Sequence, residues 1–449
     1  MAEPARGSPG GAARRGAGRP GPVATARPGS ATSFPANLVA LAGGLALVAA
    51  LAAWRDAPLA AFTAYAPMAP CLATFALLTL AEWWLRRRGR LAGTEVAAAP
   101  RRAVDYPRAG LRILGFAATL GLVGLAYWLF PEYHGGFYDP YWHFLAALAP
   151  LLALVPFYCV WVDSRVLEPE DEFVQFARLL LGRPAGVDGA VIRRHLLGWT
   201  VKAYFLPLMT VYLNDELNDL HRLFLGGGAI AFVSYAGLFH LSYATDLLFC
   251  VVGYAATMRL LDSHMRSVEP TMLGWVAALV CYQPFYSIIG RYYLQYEGEV
   301  PWDRWLAPWP PLRDAWGIVI LVLSAIYALS TVAFGLRFSN LTHRGIITGG
   351  PYRFTKHPAY LAKNLSWWLI SVPFVVVTDA PTALRHCLLL ALLNGIYFVR
   401  ARTEERHLSR DPAYVAYALW INERGLLREL GNIVPALRYR SPAPATPPA

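Results

Sequence analysis

The sequence predicts an all-α fold: a polytopic integral membrane protein with about ten transmembrane helices. Three observations predict it. Of 449 residues, 56% are hydrophobic and only 15% charged, whereas soluble domains carry about a quarter charged residues. Long runs of Leu, Ala, Val and aromatic residues recur from one end of the chain to the other. Lysine and arginine cluster in alternate connections between those runs, as the positive-inside rule expects.

The runs are, in order, Leu38–Trp54, Leu59–Leu85, Leu111–Phe130, Tyr141–Val162, Gly198–Leu213, Gly226–Met258, Thr271–Gly290, Ala315–Leu336, Leu365–Val377 and Leu384–Val399. A spanning helix needs roughly 20 mostly apolar residues, so several are full spans and some are short. Gly226–Met258 is long enough for one tilted helix or a bent pair. The first run exceeds a typical signal-peptide core and no clear cleavage site follows it, so it reads as a span.

The net charge of +11 matters through its placement. Arg6, Arg14, Arg15, Arg19 and Arg27 precede the first run, and Arg86, Arg87, Arg88, Arg90, Arg101, Arg102, Arg108 and Arg112 follow the second. Both connections are expected on the cytoplasmic side. The next one, "PEYHGGFYDPYW", has no lysine or arginine and is expected outside. Alternation through ten spans returns the His343–Tyr360 loop and the C-terminal tail, both basic, to the cytoplasm. The localisation expected is therefore multi-pass integral membrane, in the inner membrane if the cell is bacterial. The basic excess serves topology, and no nucleic-acid partner is needed to explain it. Cys71, Cys159, Cys250, Cys281 and Cys387 all sit in apolar runs without CxxC spacing, so neither a disulfide framework nor a metal site is expected.

Four regions follow. Residues 1–37, rich in Gly, Pro, Ala and Arg, are expected to be a disordered cytoplasmic extension. Residues 38–313 form a multi-span body. Residues 314–430 have a different order of parts: a span, a polar loop, two short spans joined by a tight turn, and a charged helix. Residues 431–449 are expected to be an unstructured tail. Within the body, "DSRVLEPEDEFVQFARLLLGRP" reads as a capped interfacial helix with a solvated charged face. His240 and Asp246 lie inside an apolar run, where ionisable groups are expensive; six residues apart, they need not pair.

Chemistry concentrates in "TGGPYRFTKHPAYLAKNL". The glycines permit a tight turn and close approach of backbone to a ligand. Pro358 biases His357 to an extended conformation, and a helix starts near Tyr360 with Lys363 and Asn364 in its first turns. A helix N-terminus with an imidazole and two phenols suits a carboxylate or phosphate. After the two short spans comes "RARTEERHLSRDPAYVAY". Glu404 and Glu405 diverge by about 100° on a helix, so one can face a ligand while the other pairs with an arginine such as Arg402. Tyr414 and Tyr417 share a face.

Together these two stretches resemble the isoprenylcysteine carboxyl methyltransferases and the related membrane phospholipid methyltransferases. The family pattern is a Gly-x-Tyr-x-x-x-Arg-His-Pro-x-Tyr-x-Gly loop, a hydrophobic hairpin, a Glu-Glu pair and a Tyr-x-x-Tyr helix. Gly350, Tyr352, His357, Pro358 and Tyr360 match the loop; Glu404, Glu405, Tyr414 and Tyr417 match the rest. Lys356 stands at the usual Arg and Ala362 at the usual final Gly. The resemblance implies S-adenosylmethionine at the cytoplasmic membrane face, contacted by Gly350, Tyr352, His357, Pro358, Tyr360 and Glu404.

The expected activity is methyl transfer to a lipid or lipid-linked acceptor, with a carboxylate favoured over an amine. A carboxylate attacks without a base, oriented by Arg402 or Arg353; an amine needs a proton removed, for which Glu405 is the candidate. Two other readings share some of these features. Sterol-reductase-like proteins carry a similar loop and bind NADPH, and a membrane protein with a decayed methyltransferase end would bind neither cofactor.

Overall fold

The structure is a computed structural model that describes residues 26–53 and 66–441. Residues 1–25 of the expected extension, 442–449 of the expected tail and the start of the second apolar run lie outside the described residues.

Helices α1 (Phe34–Ala52), α2 (Met68–Arg87) and α3 (Tyr106–Leu129) come first. They are followed by α4 (Asp139–Leu148) and α5 (Val155–Asp163), which a 3-10 turn joins into one apolar segment. Then come α6 (Glu172–Leu180), α7 (Gly189–Gly227), α8 (Tyr235–Ala255), α9 (Met272–Leu279), α10 (Phe285–Tyr292) and α11 (Trp302–Trp305). The C-terminal region holds α12 (Pro310–Val332), α13 (Pro358–Ser371), α14 (Ala380–Leu408), α15 (Pro412–Arg424) and α16 (Arg428–Ile433). Local sequence sets many of the starts: the side chains of Asp105, Asp171, Asp188, Ser234, Thr271, Asp379 and Asp411 each accept from a backbone N–H of the first turn, satisfying donors the helix leaves open.

Among the described residues, eight helical segments are long and apolar enough to cross a membrane. Two of the ten expected runs are shorter. Thr271–Gly290 is divided between α9 and α10, with Pro284 at the second start, where it cannot donate a backbone N–H. Leu365–Val377 falls on α13, which stops at Ser371. Both still run between the two ends of the bundle. Strand β1 (Ser267–Val268), before α9, pairs antiparallel with β2 (Thr342–His343) at one end. At the other end Gly298 N–H donates to the Ser371 carbonyl at 2.8 Å, and Glu299 accepts from Val377 N–H at 2.8 Å. The long run Gly226–Met258 resolves as a bent pair, the end of α7 and then α8 across a 3-10 turn.

Helix α7 packs along α8, α1 along α2, and α12 against both α8 and α13. Leu78, Phe205, Leu213, Leu248 and Tyr254 are completely buried there. The body and the C-terminal region form one core, pinned by Arg344. Its guanidinium donates to the carbonyls of Ser263, Gly253, Ala256, Phe338 and Leu336 at 2.6 to 3.3 Å, so one side chain saturates backbone from both regions.

Three expectations change. Residues 26–37 are not a free extension: Thr32 donates to the Ala333 carbonyl at 2.7 Å and Asn37 to that of Val332 at 2.8 Å. Residues 431–441 are not an unstructured tail either. Tyr439 is buried, and its backbone exchanges hydrogen bonds of 2.8 and 2.9 Å with the Asn422 amide. The charges around α6 are not a solvated face. Asp163 and Asp171 are buried, and Arg112 reaches them at 3.1 and 2.6 Å. Arg108 adds a second bond to Asp163 at 2.8 Å. The helix itself is capped by Asp171 as expected.

Candidate active site

Alanine and leucine carry α14 across the bundle, and its last turns are charged, with Arg400 to His407 reaching the end where β1 and β2 pair. The loop 344–357 folds over the same end and delivers His357 as the residue preceding α13. The hairpin α13–α14 therefore closes the gap of nearly fifty positions between the two motifs. His357 Nε2 lies 3.2 Å from Glu405 Oε1, and its Nδ1 lies 3.9 Å from Glu404 Oε2. The Tyr360 hydroxyl donates to Glu404 Oε1. The His357 and Tyr360 rings stack at 5.5 Å between centroids, nearly parallel at 5°.

The two glutamates divide as their helical divergence requires. Glu405 is buried and saturated: Lys356 Nζ sits 2.6 Å from Oε1 and Arg402 Nη1 2.5 Å from Oε2, besides His357. Burial lowers the Lys356 pKa from its ordinary 10.5, against the opposing pull of Glu405. Glu404 is more open. It receives the Tyr360 hydroxyl and a longer contact of 3.5 Å from Arg400 Nε, and it lines a cavity that Glu405 does not.

That cavity has a volume of about 430 Å³, within the range of small-molecule sites. His357, Tyr360, Glu404 and Arg400 form its motif end, and the body forms much of the remaining wall through Asp246, Tyr282 and Glu216. Arg400 is buried, donates to Asn340 Oδ1 at 2.7 Å, and lies over the rings of Tyr282, Tyr360 and Tyr397. Tyr414 Oη has no hydrogen-bond partner among the described residues, and Tyr414 lines the cavity. A carboxylate with room for another donor, an imidazole and several aromatic faces fit a cofactor bearing an ammonium and a sulfonium.

The other candidates divide between the cavity wall and its surroundings. Gly350 has φ +58°, and a Cβ there would meet the Phe34 ring at 2.7 Å; it makes room for the N-terminal helix and does not line the cavity. Pro358 opens α13 and is buried outside the cavity lining. Tyr352 lines the cavity, and burial raises its pKa. Arg353 is exposed and away from the cavity. Arg402 is occupied by Glu405, and Glu405, held by Lys356, Arg402 and the His357 ring, has no open oxygen for a base's work. Tyr417 donates to the Tyr352 carbonyl at 2.7 Å and so holds the loop.

Arg400, Tyr282, Asn340 and Tyr397 are site residues the sequence alone did not single out. Arg400 carried one signal, an arginine at the end of an apolar run, which reads equally as a positive-inside anchor. His240 pairs with Glu216 at 2.8 Å, and Asp246 accepts from the Tyr327 hydroxyl at 2.7 Å; the two do not meet each other. No group of His, Cys, Asp and Glu among the described residues is arranged to hold a metal ion.

No curated protein and no solved structure matches the chain. Residues 317–410, from α12 through the Glu404–Glu405 end of α14, match the Isoprenylcysteine carboxyl methyltransferase (ICMT) family, which supports a membrane methyltransferase.

Proposed function

We propose that this protein is an S-adenosylmethionine-dependent methyltransferase of the membrane, acting on a lipid or lipid-linked acceptor, with a carboxylate oxygen as the favoured nucleophile. One observation carries the reading: the hairpin brings His357 and Tyr360 against Glu404 at one end of a 430 Å³ cavity. Glu404 would take the ammonium or a ribose hydroxyl of the cofactor, and His357 its carboxylate. The tyrosine faces favour its cationic sulfur. Bound there, the cofactor supplies an electrophilic methyl group. The protein's part is alignment, since in-line displacement gains most from holding the reacting atoms in place. Glu405, Lys356 and Arg402 keep the His357–Glu404 end in position. The arginine distribution favours the cytoplasmic side for this end.

A carboxylate acceptor is favoured because neither motif glutamate is set up as a general base: Glu405 is saturated and Glu404 already accepts from Tyr360. A lipid acceptor is favoured by the outer face of the hairpin, where Leu365, Leu384, Leu388 and Leu392 are exposed, a surface suited to hydrocarbon. The test is to incubate membranes containing the protein with methyl-labelled adenosylmethionine and extract the lipids. Wild type is expected to label a lipid that His357→Ala and Glu404→Ala do not, with the label released by mild base as from an ester. Equal labelling in all three membranes defeats the reading. Label that resists base would move the acceptor from carboxylate to amine.

A further inference from the structure

Among the described residues, Lys363 makes no ion pair, although the Asp246 carboxylate is near enough to act on it through space. Lys363 lines the cavity wall, and its ammonium lies over three rings, Tyr327 at 5.1 Å, Trp367 at 5.2 Å and Tyr397 at 5.9 Å. No carboxylate among the described residues stands within ion-pairing distance of it. Asp246 would be the natural partner, but both its oxygens are taken by the hydroxyls of Tyr327 and Thr331. An ammonium held among aromatic rings inside an apolar bundle is costly unless an anion reaches it. The cage offers only ring faces, which hold the cation in place without neutralising it.

Its position is informative. His357, Tyr360, Lys363 and Trp367 follow one face of α13, and Lys363 lies about 4.5 Å further along the axis than Tyr360. The cofactor-facing groups thus sit at the motif end of the cavity, and the Lys363 cation lies one turn further along α13. The body contributes the far side: Asp246 from α8 fixes the Tyr327 hydroxyl, and Tyr327 forms one wall of the cage.

We propose that Lys363 is the acceptor-binding residue, seating the anionic head of an amphiphile beside the methyl donor, with Asp246 of the body as a positioning residue acting through Tyr327. This rests on the methyl-transfer reading above and deepens it by assigning the acceptor's anion to a residue outside both sequence motifs. A carboxylate oxygen held there forms its bond to the methyl carbon as the methyl–sulfur bond breaks. The sulfur keeps the electron pair and becomes a neutral thioether, and no proton is gained or lost. The ester product has lost its charge and with it the attraction to Lys363, which favours its release.

The probe is a short single-chain amphiphile, with binding read by thermal unfolding of the purified full-length protein in neutral detergent with S-adenosylhomocysteine. Dodecanoate is compared with dodecanol and dodecyltrimethylammonium. Wild type and Lys363→Arg are expected to bind dodecanoate about 30-fold more tightly than dodecanol, the scale of one charge-assisted contact. Lys363→Met is expected to lose that preference while retaining tritiated adenosylmethionine within about threefold of wild type. Asp246→Asn is expected to weaken dodecanoate with cofactor retention intact.

Undiminished dodecanoate preference in Lys363→Met overturns the proposal. So does a wild type that binds dodecanol or the trimethylammonium amphiphile as tightly as dodecanoate, a comparison that needs no variant to fold. If wild type prefers dodecanoate but retains no adenosylmethionine, the anion site stands and the methyltransferase reading falls. If adenosylmethionine is retained without dodecanoate preference, the reverse holds.

Discussion

Two charged clusters sit at the same end of this bundle and are built to opposite purposes. Around α6, Arg108 and Arg112 face Asp163 and Asp171, and each buried carboxylate is met by arginine at 2.6 to 3.1 Å. At the ends of α13 and α14, Glu405 is similarly closed by Lys356, His357 and Arg402. Glu404 beside it is not, and Lys363 one turn away lies against ring faces. A fully matched cluster can only hold structure, because any ligand would have to displace a partner. An incompletely matched one retains interaction energy for a ligand. The difference singles out the C-terminal cluster as the candidate site more sharply than the number of charges does.

Breaking the closed cluster is expected to give the largest effect. Arg112→Met leaves Asp163 and Asp171 buried with less compensation, and should cost about 3–5 kcal/mol of stability, read as a lowered unfolding temperature in detergent. The fraction that stays folded should still retain adenosylmethionine. Glu404→Gln tests the open cluster. It should weaken adenosylmethionine about 10- to 100-fold, the scale of a charge-assisted hydrogen bond, with an unfolding temperature close to wild type. Should Glu404→Gln lower stability as much as Arg112→Met, the contrast between the clusters collapses.

Glu405→Gln lies between the two, because Lys356 and Arg402 lose their counter-charge and His357 a hydrogen-bond partner. Stability and cofactor retention should fall together, stability by about 1–3 kcal/mol. Lys356→Arg sharpens the same point through pH. Burial holds the Lys356 pKa below 10.5, so its charge, and the support it gives Glu405, is present at neutral pH and lost as pH rises through that lowered value. Wild type should lose cofactor retention on that alkaline limb, and Lys356→Arg, which stays charged, should not. The smallest effect belongs to Arg353→Ala, an exposed side chain away from the cavity, expected within about 0.5 kcal/mol of wild type in stability and equal to it in lipid labelling. A clear loss of labelling there would return Arg353 to the site.

Much of the molecule is legible in the residues alone, for local reasons. Apolar composition over about 20 positions specifies a spanning helix whatever surrounds it, so most of the expected runs reappear as helices long enough to cross. A histidine before a proline at a helix start and two adjacent glutamates have geometry set within a few residues, and their division into one saturated and one open carboxylate follows from helical divergence. The two short segments are less legible, because Pro284 and the stop at Ser371 shorten helices whose composition remains apolar.

What the sequence determined by itself, then, is the membrane class and the two motifs, since each depends on local pattern. Only the tertiary structure decided which charges are spent on each other. That Asp171 meets Arg112 over 59 positions, that Arg344 binds carbonyls from both regions, and that Lys363 finds Tyr327 and a carboxylate already occupied are facts of packing. Electrostatic pairing acts over a few ångströms in space and is blind to separation along the chain.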